Sequence, residues 1–523
     1  MNKAVVNIQK LLIQFLLLMC VLCSCQEKKI RVSVTLDSFA DVADKKYAID
    51  AELLGENIYR LIMADRERET ADIHARRHYL DGGPLVWLTR NGVSSKADSV
   101  LAYVGRMDSV GFSRERFYYS LISADLRRAR NIDFDEAIDS DNNINKVYAR
   151  LEYYLTKAFL RYAEGERFGY VNPYDAFNRL DVRDSDSVRV LYRSLYDVPT
   201  KRADKDFVAE SFRVMAGSDA SVGEFLRESM PENPLFYVFA RQLKTTTLPA
   251  ERRRLLCNME RSRWRHGDYP QKHKKYVLVN VPSLHLQAVD GDEWLTMRIG
   301  MGSLKTKTPL LTSRVKRMDF NPQWIIPKSI VKTSVRNHAG NRAYFESRDY
   351  FVQQRSTGRE VDPAEVTADM LMSHDYLVIQ RGGEGNALGR IIFRFDNDFS
   401  IYMHDTSNRG VFAQGDRSVS HGCIRVEKPY ELAVFMLNDK DEQLMEKMRY
   451  SMTVKYGRHR TGDDDQNDPI KQNMMLRSLK VEPQVPIFIT YYTLYPDKSG
   501  KLVAYNDIYG FDPVIYSRLQ KYF

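Results

Sequence analysis

The hydrophobic period of the sequence changes near residue 273, and this change most constrains the fold. Upstream, apolar residues recur at helical spacing, for example at Val147, Leu151, Leu155, Ala158 and Tyr162. Downstream, near residue 273, the period changes to two, and short runs such as residues 276–281 and 284–289 are predicted as strands. The sequence therefore predicts the α+β class, with an N-terminal helical region followed by a β-rich domain.

The same pattern gives domain boundaries. We expect a helical scaffold over residues 26–265, a β-rich domain over 273–457 and a C-terminal β extension over 470–523. Further strands are predicted at 391–395, 400–403, 485–493 and 501–505, and a helix is predicted to begin at Pro429, which suits a first helical position. A polar, aromatic-rich segment at about 330–366 interrupts the strands. Long insertions of this kind often act as lids over active sites, so we predict a lid here.

The first 25 residues have the pattern of an export signal. Lys3 and Lys10 precede an apolar stretch over residues 11–22, which is too short to span a bilayer, since that takes about 20 residues. The stretch ends Leu-Cys-Ser-Cys, which resembles a lipobox with Cys25 as the lipidated residue. Gln26 after it favours the outer membrane, so we predict a periplasm-facing lipoprotein. A plain signal peptide or an uncleaved anchor is the alternative.

Cysteine usage singles out two thiols. Of five cysteines, Cys20 and Cys23 leave with the signal and Cys25 carries lipid, so Cys257 and Cys423 remain in an oxidising compartment. They either form one disulfide or include a thiol that is kept for its reactivity. The net charge of +9 is diffuse and no nucleic-acid motif accompanies it, so no nucleic-acid partner is predicted.

The stretch Ser420-His421-Gly422-Cys423 carries the chemistry that a thiol nucleophile needs. A protonated thiol attacks poorly, and a nearby imidazole can take its proton. Two histidines are candidates for this base. His421 lies two residues before Cys423 and would share its face on an extended strand. His404 lies 19 residues upstream at the end of a predicted strand, and a hairpin-like connection would bring it back to the thiol.

Two neighbours of the thiol suggest how a substrate is held. Gly422 permits backbone conformations closed to other residues, so amides in this turn are candidates for an oxyanion hole. Arg425 offers a guanidinium fork for a carboxylate, either on the substrate or on an internal acidic residue.

This sequence resembles the L,D-transpeptidase family, through His404-Asp405-Thr406 and Ser420-His421-Gly422-Cys423-Ile424-Arg425. Further blocks are similar to the large, multidomain YcbB-like subgroup: residues 258–264, 320–327, 385–390 and 507–510, with Trp87 and residues 151–158 in the helical region. The segment 184–256 lacks the glycine-marked pattern of the peptidoglycan-binding module that this subgroup usually inserts.

The resemblance implies a β-sandwich-like catalytic domain on a helical scaffold, with a lid near the site. It implies that Cys423 is the nucleophile, that His404 is the base, and that His421 and Gly422 shape the turn and the oxyanion hole. The side chains then expected to contact substrate are those of Arg425, Tyr402, Trp324 and Ser420.

By the same resemblance, the substrate is a peptidoglycan tetrapeptide stem. D-Ala departs and leaves a thioester on the cysteine, and the side-chain amine of a neighbouring stem resolves it to give a 3→3 cross-link. The expected partners are donor and acceptor stems, the membrane through the lipid anchor, and cell-wall synthases.

Four other interpretations bear on the function. Resolution of the thioester by water would make the chain an L,D-carboxypeptidase or a cross-link hydrolase, and a non-catalytic envelope scaffold is a further alternative. The glycines at 383–389 match neither the G-x-G-x-x-G spacing nor the P-loop spacing of nucleotide-binding loops, so no nucleotide cofactor is predicted. The ten histidines are scattered without ligand spacing, so no metal is predicted.

Overall fold

The computed structural model describes residues 49–89, 92–185, 190–456 and 469–523. The predicted signal peptide and Cys25 lie outside these residues. The described chain forms two compact units. The first comprises residues up to 170 together with 202–232 and 521–523, and the second comprises 171–201 and 233–520. Within the described ranges, no helix is both long and apolar enough to cross a membrane.

The first unit is helical, as the sequence predicted. Its α-helices are Ala51–Ala64, Thr70–Leu80, Lys96–Val104, Tyr119–Asn131, Ile144–Phe168, Lys205–Ala216 and Asp219–Glu228. The longest, Ile144–Phe168, begins at Asn143, whose side chain accepts from the amide of Asn145, and ends at Gly169. Most of its faces are buried by the surrounding helices, and for this reason apolar residues recur along its whole length.

The second unit contains a ten-stranded sheet together with peripheral helices. Its helices include Pro173–Phe177, Pro234–Leu243, Pro249–Arg263, Pro429–Met436, Glu442–Thr453 and Phe511–Leu519. The strands of the sheet, labelled in chain order, are β1 Tyr196–Asp197, β2 Lys275–Asn280, β3 His285–Asp290, β4 Glu293–Gly302, β5 Leu310–Phe320, β6 Ile391–Phe395, β7 Met403–His404, β8 Ser418–Ser420, β9 Ile424–Val426 and β10 Ser478–Thr490.

The sheet closes on itself. The strand order is β6-β7-β9-β4-β3-β2-β10-β5-β1, and β5 also pairs antiparallel with β6. This additional pairing joins the first strand of the path to the next to last, so strand hydrogen bonding is continuous through eight strands around the domain. Closure leaves few free strand edges. The predicted α+β class, a helical region followed by a sheet-rich domain, is confirmed.

The segment expected to be a lid has a fold of its own. Strands Trp324–Ile325, Tyr350–Gln354, Glu360–Val361 and Tyr376–Gln380 form a separate four-stranded sheet. A hydrophobic core lies beneath it, including Val331, Phe345, Leu371 and Val378. The insertion is therefore a small folded layer over residues 324–380, longer than the predicted 330–366.

Two boundaries differ from those predicted. Residues 478–490 were assigned to a C-terminal extension, but β10 lies inside the main sheet, between β2 and β5. The helix Pro249–Arg263 is predicted as part of the scaffold, but it belongs to the second unit. Both errors have one physical cause: chain order does not reveal that a distant strand or helix completes a core.

Candidate active site

Strand pairing brings the two halves of the sequence motif together. β7 runs parallel to β9, with Met403 opposite Ile424 and His404 opposite Arg425. Continuing this register places Tyr402 beside Cys423, and the Ile424 amide donates to the Tyr402 carbonyl at 3.1 Å. The predicted hairpin-like connection is wrong, because a hairpin would make these strands antiparallel. The intervening chain instead crosses over through a short helix, Arg409–Ala413, and β8.

A left-handed turn presents Cys423. Gly422 has φ +114°, a conformation that L side chains rarely adopt, so glycine is required here. The Ser420 hydroxyl donates to the Cys423 carbonyl at 2.6 Å and accepts from the Gly422 amide at 3.1 Å. Ser420 was predicted to contact substrate, but its hydroxyl and the Gly422 amide are both engaged within the turn.

Three residues that the sequence did not indicate support this turn from outside. The Thr306 hydroxyl donates to the Ser420 carbonyl at 2.8 Å, and the Thr308 hydroxyl donates to the Gly422 carbonyl at 3.0 Å. The Tyr509 hydroxyl accepts from the Thr308 amide at 3.0 Å and donates to the Gly302 carbonyl at 2.7 Å. No local motif marks these contacts. The only signal was that Tyr509 falls in a block similar to the family.

His404 is buried, with 4% of its surface exposed, and is held in one tautomer. Its Nδ1 contacts the Asp405 carbonyl oxygen. Because a carbonyl only accepts hydrogen bonds, Nδ1 carries the proton and Nε2 keeps the lone pair that a base needs. Burial, with the nearby Arg425 charge, lowers the pKa of His404 to about 4, so the imidazole is neutral at physiological pH.

The thiol is neutral as well. Burial raises the pKa of Cys423 to about 11, although the main chain of Tyr402 and the charge of Arg425 act in the opposite direction. Burial also raises the pKa of the Tyr402 hydroxyl, and the charge of Cys423 adds to that shift. The two groups therefore rest as thiol and imidazole, so any attack by the sulfur would require transfer of its proton.

Arg425 is the cation of the site. Burial lowers its pKa, and the charge of Cys423 opposes that shift. Its Nε has no hydrogen-bond partner among the described residues. A half-buried guanidinium with an unsatisfied N–H is costly unless an anion meets it. The candidate anions are the thiolate that forms during attack and a carboxylate or oxyanion of the substrate.

Asp405 ties the end of β7 to its surroundings. Its carboxylate accepts from the Arg390 amide at 2.9 Å and from Arg409 Nη1 at 3.1 Å. Gly389 approaches this carboxylate so closely that a Cβ there would lie 2.5 Å from it. Burial raises the pKa of Asp405, although its hydrogen bonds act in the opposite direction. These contacts fix the main chain whose carbonyl orients His404.

Other predicted residues lie elsewhere. His421 is exposed and sits in a bend, so the extended strand that would align it with Cys423 is not formed. Trp324 is half-buried on the four-stranded sheet, where it packs against the core of the insertion. Cys257 is a free, fully buried thiol that donates to the Asp512 carbonyl at 3.3 Å, and burial raises its pKa. Within the described ranges no cluster of three potential metal ligands occurs.

Comparison with known proteins matches both units. Residues 274–473 match YkuD, the L,D-transpeptidase catalytic domain, and residues 74–243 match the Scaffold domain. A candidate L,D-transpeptidase of Haemophilus influenzae is 26% identical over 296 residues, which cover 56% of this chain and 54% of that protein. The chain thus matches about half the length of this relative.

Proposed function

We propose that this chain, whose sequence matches the YkuD L,D-transpeptidase catalytic domain and the Scaffold domain, forms 3→3 cross-links in peptidoglycan through a thioester on Cys423. One observation carries the proposal. The parallel pairing of β7 with β9 puts His404 and Cys423 on neighbouring strands, next to the turn at Gly422.

In the proposed first step, the Cys423 sulfur attacks the amide carbonyl between the diamino acid and the terminal D-Ala. His404 Nε2 accepts the thiol proton and then donates it to the departing amine of D-Ala. Arg425 stabilises the negative charge that develops on sulfur. The Cys423 amide, which follows the turn at Gly422, is our candidate donor to the carbonyl oxygen.

In the second step, the side-chain amine of an acceptor stem attacks the thioester. His404 takes a proton from that amine, the new amide forms, and the thiol is restored. Attack by water at the same point would give an L,D-carboxypeptidase or hydrolase. We propose that the folded insertion over residues 324–380 limits access of water, with Trp324 and Tyr402 as walls of the substrate site. Loosening its core with Phe345→Ala should then raise hydrolysis relative to cross-linking.

Incubation of the purified chain with tetrapeptide-bearing wall material tests the central proposal. Mass spectrometry should detect 3→3 dimers and an acyl adduct on the peptide that contains Cys423. Cys423→Ser should lose both, while Cys257→Ser, the matched control at a buried thiol, should keep both. Cross-linking by the Cys423→Ser protein, or an adduct on Cys257, would contradict the mechanism.

We also propose that the protein acts at the periplasmic side of the envelope, held there by lipid on Cys25 and working beside cell-wall synthases. The lipobox-like sequence supports this. Detergent partition of cells that express Cys25→Ala checks it. Unchanged membrane association and processing of that variant would exclude the anchor.

A further inference from the structure

An open groove of about 830 Å³ lies on the outer face of the main sheet and reaches the nucleophile's neighbour, Tyr402. Its lining is strongly charged: Lys316, Arg317, Arg394 and Lys480 are basic, and Asp396, Asp398 and Glu482 are acidic. The mechanism proposed above uses none of these charges. Their arrangement follows from strand register.

Three of the cations fall in one row across the sheet with Cys423. Tyr402 lies beside Cys423, and the pairing of β7 with β6 continues that row to Arg394. Arg394 is opposite Arg317 on β5, and Arg317 is opposite Lys480 on β10. Register partners share a face of the sheet, so the row runs from the thiol over Tyr402 to three successive cations.

Burial agrees with this register. Met403, Ile424, Phe393 and Met318, which alternate with members of the row, are all buried in the core. The row itself faces outward, with Tyr402 and Arg394 half-buried and Arg317 and Lys480 exposed. The cations therefore point to the same side of the sheet as the thiol.

One acidic side chain organises two of the cations. Asp319 forms an ion pair with Arg317 at 2.8 Å and another with Arg394. Arg394 also lies over the Tyr402 ring, at 5.6 Å from its centroid. These contacts hold the two guanidinium groups in place and leave the row with a net positive charge. Among the described residues, no ion pair involves Lys480.

The acidic side chains of the groove lie off this row. Asp396 pairs with Lys316, and Asp396 and Asp398 belong to the loop that follows β6. Glu482 lies at the register shift of β10, beyond Lys480. The groove therefore has a basic row that begins beside Tyr402, the neighbour of Cys423, and an acidic border beyond that row.

We propose that Arg394, Arg317 and Lys480 bind free carboxylates of the donor peptide on the N-terminal side of the bond that is cut. This rests on the function proposed above. Strands lie about 4.8 Å apart, so Arg394 is roughly 10 Å and Arg317 roughly 14 Å from the thiol across the sheet. The donor peptide has three residues on that side of the bond, which span about 10 Å when extended, and this matches the distance from Cys423 to Arg394. The row selects stems whose acidic groups are unmodified over stems in which they are amidated.

Equilibrium binding separates this inference from the chemistry. Calorimetry on full-length Cys423→Ser protein would compare two tetrapeptide stems, one with free carboxylates and one with those upstream carboxylates converted to amides. The free-carboxylate stem should bind more tightly, and Arg394→Gln should weaken its binding about tenfold. Lys480→Gln should weaken it about threefold, since exposed pairs contribute less. Higher ionic strength should reduce the preference.

The amidated stem and a matched variant provide the controls. The affinity for the amidated stem should stay within twofold of wild type in Arg394→Gln and in Lys480→Gln. Lys501 is an exposed lysine outside the groove, and Lys501→Gln should leave the affinity for both stems unchanged. Equal affinity for the two stems, or equal losses on both in Arg394→Gln, would overturn the proposal. Absence of Cys423 acylation in the wild-type protein while the binding preference persists would instead refute the proposed function.

Discussion

The helical unit and the candidate active site both bury polar groups, and they differ in whether those groups are paired. In the helical unit, Arg161 and Asp72 form two hydrogen bonds at 2.8 and 2.7 Å, and Lys157 contacts Asp65 at 2.6 Å. Burial alone would lower the pKa of Arg161, but its bonds to Asp72 outweigh burial and raise it. Each of these charges has an opposite partner, so their role is structural.

The buried groups of the candidate active site are not matched in this way. His404 and Cys423 are both held neutral by burial, and Arg425, whose charge acts on both groups, keeps an unsatisfied Nε. Such an arrangement costs stability and is retained where charge develops during a reaction. The comparison suggests that the paired charges of the helical unit stabilise the fold and that Arg425 acts on substrate.

The largest effect should come from the base. His404→Asn keeps a side-chain donor for the Asp405 carbonyl but removes Nε2. It should slow acylation of Cys423 by about 10²–10⁴-fold, because general-base help is lost. His404→Ala should slow it equally and destabilise the protein more. Intact-protein mass spectrometry under single-turnover conditions measures the acylation rate, and thermal melting measures the stability of each variant. An acylation rate within threefold of wild type in the Asn variant would remove His404 from the mechanism.

The reverse pattern is expected in the helical unit. The carboxylate of Glu152 accepts from the amides of Val86, Trp87 and Leu88, at 2.6, 3.0 and 3.2 Å, and burial raises its pKa to about 7. Glu152→Ala leaves these amides unpaired and should cost about 3 kcal/mol. Amide hydrogen exchange in the helix Ile144–Phe168 measures this loss of stability at the site of the substitution.

A second variant and a second measurement serve as controls for Glu152→Ala. Glu152→Gln, which keeps one acceptor oxygen, should lose less protection, and the rate of Cys423 acylation below the melting temperature should change little in either variant. A large loss of acylation with intact exchange protection would contradict a purely structural role for the buried charges of this unit.

The sequence predicted the two-part fold because hydrophobic period is a local property. Strand β6 falls where it was predicted, and β2 and β3 lie within one residue of the predicted runs. It did not reveal β5, whose outward face carries Arg314, Lys316 and Arg317 and masks the alternation. The helix Glu442–Thr453 and the C-terminal helix were also missed.

For the candidate site, the sequence motif indicated His404 and Cys423 as candidates, but the pairing of β7 with β9 was needed to bring their chain segments side by side. The crossover between β7 and β9, the support from Thr308 and Tyr509, and the row from Cys423 to Lys480 are all long-range. Register between strands distant in sequence is set by the packing of the whole sheet, so no local pattern contains it. The exposure of His421 has the same origin.

A smaller effect is expected from the unpaired cation. Arg425→Met replaces the guanidinium with an apolar chain, and it should leave the melting temperature unchanged or raise it slightly, because a charge leaves a half-buried site. Acylation should fall about tenfold, since Arg425 lowers the pKa of Cys423. Arg425→Lys keeps the charge, so its acylation rate should lie between those of the wild-type protein and the Met variant. If the Met variant is destabilised but is acylated at the normal rate, Arg425 stabilises the fold and does not take part in acylation.

The smallest effect tests the support of the turn. The Thr308 hydroxyl accepts from the Gly302 amide at 2.9 Å and donates to the Gly422 carbonyl at 3.0 Å. Thr308→Val keeps the shape of the side chain and leaves both backbone groups unpaired, which should cost about 1 kcal/mol. If the turn positions the amide that meets the oxyanion, acylation by a stem peptide should slow about threefold. Alkylation of Cys423 by iodoacetamide, which forms no oxyanion, should then keep its rate.

Thr490→Val, which removes a hydroxyl bonded to the Val279 carbonyl on the same sheet, is the matched control and should affect neither reaction. Equal slowing of acylation and alkylation in Thr308→Val would mean that the hydroxyl supports only the position of the sulfur.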